Sequence, residues 1–293
     1  MTTHIVLVLC LFVWALVITP LSIRLSDRYG IVDMPGGRKM HTTIMPRGAG
    51  IVLWLGYLVW ALLAVSDQPI LRYTAAGGTL VFLAGYWDDM VSVNPFLRFC
   101  IHLFAAAVVS ATLQLPVPLK LICLIWIAGT TSAYNLIDGA NGLCLLLCMT
   151  ASACLVFLDG AYSFLPLFSL CAGILPWNFP KARTFLGDGG ATLIGFLFAS
   201  HIVFSYQTSF RAMAPLFLII TLGLTGGIPV IDTVFAILRR LLVSGSPFRP
   251  DRGHIHHRLL DAGVSTIRAV SLLSVLQAIC VISGLFLLKG EIL

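Results

Sequence analysis

Apolar runs of membrane-spanning length alternate with short polar stretches along the whole chain. A helix needs about 20 predominantly apolar residues to cross the hydrocarbon of a bilayer. The pattern predicts ten such segments: 4–23, 48–65, 71–87, 98–115, 118–135, 140–158, 162–179, 189–206, 213–238 and 268–288. The third is short and rich in Gly. The ninth, APLFLIITLGLTGGIPVIDTVFAILRR, is interrupted by Gly226, Gly227 and Pro229. A break is expected there, because Pro removes a backbone donor and clashes with the preceding turn. No repeat, linker or low-complexity segment divides the chain, so residues 1–293 read as one all-α, polytopic integral membrane domain with a broken ninth helix.

Composition agrees. Only 10% of residues are charged and 59% are hydrophobic, against roughly 25% charged in soluble domains. That balance excludes a sizeable soluble domain and gives no footing for a nucleic-acid partner. The first apolar run has no basic residue before it and no small-x-small cleavage site, and Arg24 and Arg28 follow it. It reads as an uncleaved first span with the amino terminus outside. The eight Cys all sit in apolar runs without a C-x-x-C pair, which is how small hydrophobic residues behave.

Alternating sides from that start puts 24–47, 88–98, 136–139, 180–188 and 239–268 inside. These loops hold fourteen of the 18 Lys and Arg, a strong positive-inside bias. Nine of the 12 acids fall on the same side, and the charge rule does not explain them. Carboxylates beside a bilayer are costly unless paired, hydrated or metal-bound, so these acids are candidates for function.

Four stretches concentrate them. GYWDDMVSVNPFLRF ends the third run with Asp88 and Asp89, two adjacent carboxylates that repel unless a cation or proton is shared. SAYNLIDGANGL sets Asn135, Asp138 and Asn141 three residues apart, all hard oxygen donors of the kind Mg²⁺ takes. FLGDGGATLIGF puts Asp188 among glycines at a helix start, where an N-cap role and a phosphate-binding role compete. GIPVIDTVFAILRR carries Asp232 two turns before Arg239 and Arg240, with which it could simply pair.

A fifth stretch, FRPDRGHIHHRLLDAG, adds His254, His256 and His257 beside Arg249, Arg252 and Arg258. If helical, it puts His254, His257, Arg258 and Asp261 on one face, with His256 pointing elsewhere. Without H-E-x-x-H or nearby Cys it is a poor zinc signal, and imidazoles among guanidinium groups suit an anionic, phosphate-bearing substrate. The loop DMPGGRKMHTTIMPRGAG contributes Arg38, Lys39, His41 and Arg47. Cations for phosphates and oxygen ligands for a divalent metal, on one membrane face, are the apparatus of phosphoryl transfer. Rival readings are a secondary transporter, whose acids and broken helices would gather near the bilayer midplane, and a non-catalytic lipid-phosphate scaffold.

In order, DMPGGRKMH…PRGAGI, GYWDD, AYNLIDGANGL, FLGDGGATLIG and DTVFAILRR…SPFRPDRGHIHHRLLDAG resemble the polyprenyl-phosphate N-acetylhexosamine-1-phosphate transferases, over nearly the whole chain. The resemblance implies about ten transmembrane helices around a cytoplasm-facing cleft in a bacterial inner membrane. It implies transfer of sugar 1-phosphate from a UDP-N-acetylhexosamine to undecaprenyl or another polyprenyl phosphate, with UMP leaving. The ion implied is Mg²⁺, with Mn²⁺ as the substitute, and a homodimer is compatible. By position, Asn135 and Asp188 would hold the metal. Asp88 and Asp89 would form the paired-aspartate site, with Asp138 beside them. His254, His256 and His257 would line the nucleotide-sugar pocket, Lys39 and Arg47 would face phosphate, and Asn141, Asp232 and Arg252 would complete the substrate-binding set. The last motif is closest to the GlcNAc-type branch; a peptidoglycan-type phospho-MurNAc-pentapeptide transferase is the alternative. Departures from the family pattern are Asn141 in place of Asp, Ser132 in place of Asn, and Gly48-Ala49-Gly50 in place of a Gly pair.

Overall fold

Asn94 opens one helix by accepting the Phe96 amide at 2.9 Å, with Pro95 in the first turn where its missing N–H costs nothing. Punctuation of this kind separates thirteen helices in a computed structural model that describes residues 2–35, 43–64, 70–244 and 253–290. In chain order these are α1 (Thr2–Tyr29), α2 (Ala49–Ala64), α3 (Ile70–Met90), α4 (Pro95–Thr112), α5 (Val117–Ile137), α6 (Leu143–Asp159) and α7 (Leu165–Asn178). They continue with α8 (Gly187–Ser205), α9 (Gln207–Ala212), α10 (Pro215–Gly226), α11 (Ile228–Ser244), α12 (Ile255–Asp261) and α13 (Thr266–Lys289). The short strands β1 (Val32–Asp33) and β2 (Met45–Pro46) pair antiparallel between α1 and α2.

Each predicted apolar run coincides with helix, to within a few residues at most ends. Five helices among the described residues are long and apolar enough to cross a membrane, and a sixth span arises if α10 and α11 are taken together. The protein is an all-α, multi-pass membrane protein. The break in the ninth run is sharp: α10 and α11 meet at 113°. Gly227 turns the chain there at φ 66°, a conformation that favours Gly. The amide of Ile228, freed by the bend, donates to Gln277 Oε1 of α13 at 2.7 Å, so this main-chain donor is not left unpaired in an apolar setting.

At the centre lies α8. From Gly189 to Val203 every residue is buried, as expected of a helix apolar on all sides. It packs most extensively on α3 and α5. Close approach is made by small residues. A Cβ on Gly85 of α3 would stand 2.7 Å from Gly189, and one on Gly50 of α2 would stand 2.8 Å from the Gly190 Cα. Backbone-to-backbone packing of this kind drives helix association where lipid competes for every apolar contact. Large apolar side chains such as Val17, Leu62, Phe104, Ile125 and Phe157 point outward, as lipid permits.

Successive helices run back and forth, so the ends of α1, α3, α5 and α7 and the starts of α2, α4, α6, α8 and α13 gather at one end of the bundle. At the opposite end, Asp159 accepts from the Tyr206 hydroxyl at 2.5 Å and pairs with Lys289 at 3.2 Å. A small apolar cluster of Ile137, Leu143, Leu147, Ile228, Val270 and Leu273, with Ile255 and Leu259 packed against it, seats α12 on the first end.

Candidate active site

The two adjacent acids at the end of α3 diverge. Asp89 turns inward, its side chain 1% exposed. One oxygen accepts from Arg47 Nη1 at 2.8 Å and the Asp188 amide at 2.9 Å; the other accepts the Gly189 amide at 3.2 Å. The first amides of α8, expected to favour an anion, are thus taken by a carboxylate of the protein itself. Asp188 is the second residue of α8 and not its N-cap, which is Leu186. Gly187 is needed here twice over: its φ is 70°, and a Cβ would lie 2.4 Å from Asp89 Oδ2.

Asp88 faces the other way. Its Oδ1 accepts the Val93 amide at 2.5 Å, and its Oδ2 meets Arg98 Nη1. The same Arg98 nitrogen meets Asp188 Oδ2, to which Asn135 Nδ2 also donates at 3.1 Å. Carboxylate oxygens from α3 and α8 therefore converge on a single cation position, held by a guanidinium. Among the described residues no three His, Cys, Asp or Glu side chains stand together as a metal group. Two carboxylates are nonetheless hard donors of the kind a small divalent ion takes. Such an ion would share or displace Arg98, and Asn135, whose amide nitrogen faces Asp188 here, would have to turn its amide over to add an oxygen.

A cavity of about 450 Å³ opens beside these groups, lined among others by Arg47, Asn135, Asp138, Asn141, Lys181 and His257. Asp188 and Asp33 also reach it. Asp138 terminates α5. Its carboxyl is pushed up to about 7, chiefly by removal from water, with repulsion from Asp188 and Asp89 adding and Arg47 opposing. Burial would lower the Arg47 pKa, but Asp89, Asp33 and Asp188 more than reverse this, so the guanidinium stays charged. Arg47 also reaches Asp33 Oδ1 at 2.5 Å, tying the strand pair to α3. The Asn141 side chain donates to the Pro180 carbonyl at 3.2 Å. Nearby, Asn178 accepts the Gly142 amide and donates to the Thr184 carbonyl, both at 2.7 Å. These bonds fix the cavity wall between α5–α6 and α7–α8.

The histidines separate into different settings. Helix α12 begins at Ile255 with His254 as its N-cap residue, so the expected face starting at His254 is not formed. His254 is buried, with Nδ1 at 2.7 Å from Asp232 Oδ2 and Nε2 at 3.1 Å from Arg240 Nη2. Asp232 Oδ1 accepts the Ile255 amide at 3.0 Å. His256 is 1% exposed and neither ring nitrogen has a hydrogen-bond partner. Its ring lies against the turn after Asp138: a Cβ on Gly139 would come within 2.2 Å of His256 Nε2. Desolvation, then His257 and His254, lower its pKa to about 3. His257 alone of the three lines the cavity.

The structure thus brings together Asp88, Asp89, Asn135, Asp138, Asn141, Asp188, Arg47 and His257 at one end of the bundle. It sets His256 just behind the Asp138 turn, and Asp232 with His254 one layer further back. Lys39 and Arg252 lie outside the described residues. Arg98, Asp33 and Lys181 were missed as site residues by motif reading. Arg98 stands in the first turn of α4, ten residues after Asp88, and counted only toward the charge bias.

Known proteins give this geometry a context. The profile of Glycosyl transferase family 4 matches residues 71–206. A Bacillus subtilis (strain 168) protein, "Probable undecaprenyl-phosphate N-acetylglucosaminyl 1-phosphate transferase", is 32% identical, the match covering 94% of this chain and 83% of that protein. The Haemophilus influenzae "Undecaprenyl-phosphate alpha-N-acetylglucosaminyl 1-phosphate transferase" is 31% identical, over 92% of this chain and 81% of that protein. "Decaprenyl-phosphate N-acetylglucosaminephosphotransferase" of Mycolicibacterium smegmatis is 29% identical, over 85% and 73%. With the described parts of its five motifs drawn to one end of a helical membrane bundle and these relatives matching most of its length, the chain belongs to glycosyl transferase family 4, the polyprenyl-phosphate N-acetylhexosamine-1-phosphate transferases.

Proposed function

We propose that the protein transfers N-acetylglucosamine 1-phosphate, or that of a modified N-acetylhexosamine, from the UDP-sugar to undecaprenyl phosphate, releasing UMP and forming the first lipid-linked intermediate of a cell-surface polysaccharide. The observation that carries the reading is one cavity in which Asp138, Asp188, Asn135 and the cations Arg47 and Lys181 meet at one end of the bundle. Relatives named for the GlcNAc reaction over most of their length support this branch over the peptidoglycan one. A transporter would carry its acids near the midplane; here they stand at helix ends.

In this reading the chain crosses a bacterial inner membrane about ten times, amino terminus outside. The site then faces the cytoplasm, where UDP-sugars are made and where fourteen of the 18 basic residues fall. The acceptor phosphate attacks the β-phosphorus in line. A phosphate monoester has its second pKa at about 6, so much of the acceptor is already dianionic and a general base would add little. Asp88 and Asp89 are read as orienting groups, with base catalysis by either as the alternative. Arg47 and Lys181 neutralise diphosphate charge, with Lys39 and Arg252 assigned to the same task. Asn141 and His257 line the nucleotide-sugar side of the cavity. Asp188 and Asn135 would hold Mg²⁺, with Asp88 adjacent; when bound, the ion would neutralise the diphosphate and stabilise UMP as leaving group. Asp89 orients Arg47 and the start of α8. Catalysis rests mainly on positioning and charge neutralisation.

The test is UMP release from a panel of UDP-N-acetylhexosamines, with undecaprenyl phosphate, Mg²⁺ and the protein in membranes, followed by extraction of labelled sugar into butanol. Label in lipid with stoichiometric UMP supports the transferase. Uptake of label without a lipid product points to a transporter, and binding without turnover to a scaffold.

A further inference from the structure

Helix α11 leaves the Gly227 bend with Asp232 on its second turn and Arg239 and Arg240 two turns later, and all three side chains reach the segment 253–255. Arg239 lies so close to Gly253 that a Cβ there would meet its guanidinium at 2.3 Å. Asp232 takes the Ile255 amide with one oxygen and His254 Nδ1 with the other. Arg240 takes His254 Nε2.

The chemistry of that chain of contacts fixes a proton. A guanidinium only donates, so His254 Nε2 must accept, and the ring hydrogen must sit on Nδ1, donated to Asp232. In free histidine the other tautomer dominates, so this is an imposed state. With both nitrogens engaged and the ring buried, His254 has no atom left for a substrate. Two residues along the chain, His256 packs on Gly139 beside Asp138, and His257 enters the cavity.

We propose that Asp232, His254 and Arg240 form a positioning relay. The relay locks α12 to α11 through the neutral Nδ1–H tautomer of His254. It thereby seats His256 and His257 against the Asp138–Gly139 turn, without itself touching substrate. Asp232 and Arg240 thus act on the reaction through His254, and the kinetic part of the test rests on the transferase reading given above.

Full-length protein carrying ¹⁵N-labelled histidine, held in bilayers, reports the protonation of each imidazole by its nitrogen shifts; His254→Asn identifies the His254 signals by their loss. Wild type is expected to show a protonated Nδ1 and a bare Nε2 at His254 at neutral pH. Arg240→Met should abolish that signature. It should also lower kcat for UMP release on the order of tenfold, the size of effect that small misplacements produce. Arg240→Lys, which keeps a donor, should recover most of both. Asp232→Asn, which preserves shape, supplies the check if Arg240→Met does not fold; it should also lower kcat. The proposal is overturned if wild-type His254 is the Nε2–H tautomer or an imidazolium, or if kcat is unchanged in the folded variants. A wild type that never releases UMP from UDP-GlcNAc counts against the transferase reading only, because the His254 spectrum still decides the relay.

Discussion

Asp89 caps the helix that carries Asp188: its carboxylate accepts the amides of Asp188 and Gly189 at 2.9 and 3.2 Å while holding Arg47 at 2.8 Å. Its neighbour Asp88 shares Arg98 with Asp188 instead. Two acids adjacent in sequence therefore serve different ends, and substitution separates them.

Asp89→Ala removes a helix cap and one of the two carboxylates that hold Arg47, leaving it Asp33. It should destabilise the protein by roughly 1–3 kcal/mol, measured by denaturant unfolding in micelles. Asp89→Asn retains the shape and should show a turnover deficit of the same size across the pH–rate profile. If activity of the Asn variant instead climbed to the wild-type plateau at high pH, where the acceptor ionises unaided, Asp89 would be a general base.

Asp188→Ala should abolish transfer and any metal-dependent component of UDP-sugar binding, read by calorimetry with and without Mg²⁺. Near-normal turnover in that variant would remove Asp188 from the metal site. Arg98→Gln empties the position at which the two carboxylates converge, so the Mg²⁺ concentration for half-maximal activity should fall while kcat also falls. An unchanged metal dependence would mean that ion and guanidinium do not compete.

Gly139→Ala adds one methyl where His256 Nε2 would lie 2.2 Å away. Overpacking of this kind destabilises by about 1–3 kcal/mol, and the shift of His256 should depress turnover as well. Combined with His256→Ala, the stability loss should largely vanish, a coupling that a double-mutant cycle measures. Additive losses would show that the two residues do not press on each other.

The pH dependence of stability contains two opposed contributions. The His256 pKa is lowered to about 3 in the fold, so its contribution is complete above the unfolded value of 6.5 and is lost as pH falls toward 3. The Asp138 carboxyl is raised to about 7, so its contribution is complete below the unfolded value of 3.8 and is lost as pH rises toward 7. Between pH 4 and 6.5 the slopes oppose, each up to about 1.4 kcal/mol per pH unit. His256→Gln should therefore tilt the stability–pH curve so that stability falls more with rising pH than in wild type, and Asp138→Asn should tilt it the other way. Parallel curves for all three proteins would mean that neither group is shifted by folding.

Hydropathy alone located the long helices, though not the short α9 and α12, because lipid outside and apolar neighbours within the bundle impose long apolar runs that need no tertiary context to recognise. The bend at Gly227 was equally legible from Gly226-Gly227 and Pro229. Pairings across the bundle were not. Arg98 and Asp188 are 90 residues apart, and no local signal says that one guanidinium nitrogen will serve both Asp88 and Asp188. The glycines around Asp188 suggested a phosphate seat, yet Asp89 takes those amides, since only the packing of α3 on α8 determines what reaches them. Asp232 offered two basic neighbours on its own helix but bonds His254, because α11 turns that face toward the segment leading into α12.

The contact of Gly85 with Gly189 and of Gly50 with Gly190 has a mechanical result. Three helices touch main chain to main chain directly beneath the acids, leaving no compliant side chain between them to stretch or shear. Bilayers of different thickness will load the outward, lipid-facing rods of the bundle. The spacing of Asp88 and Asp188 is anchored to this inner seam and should hold constant across them.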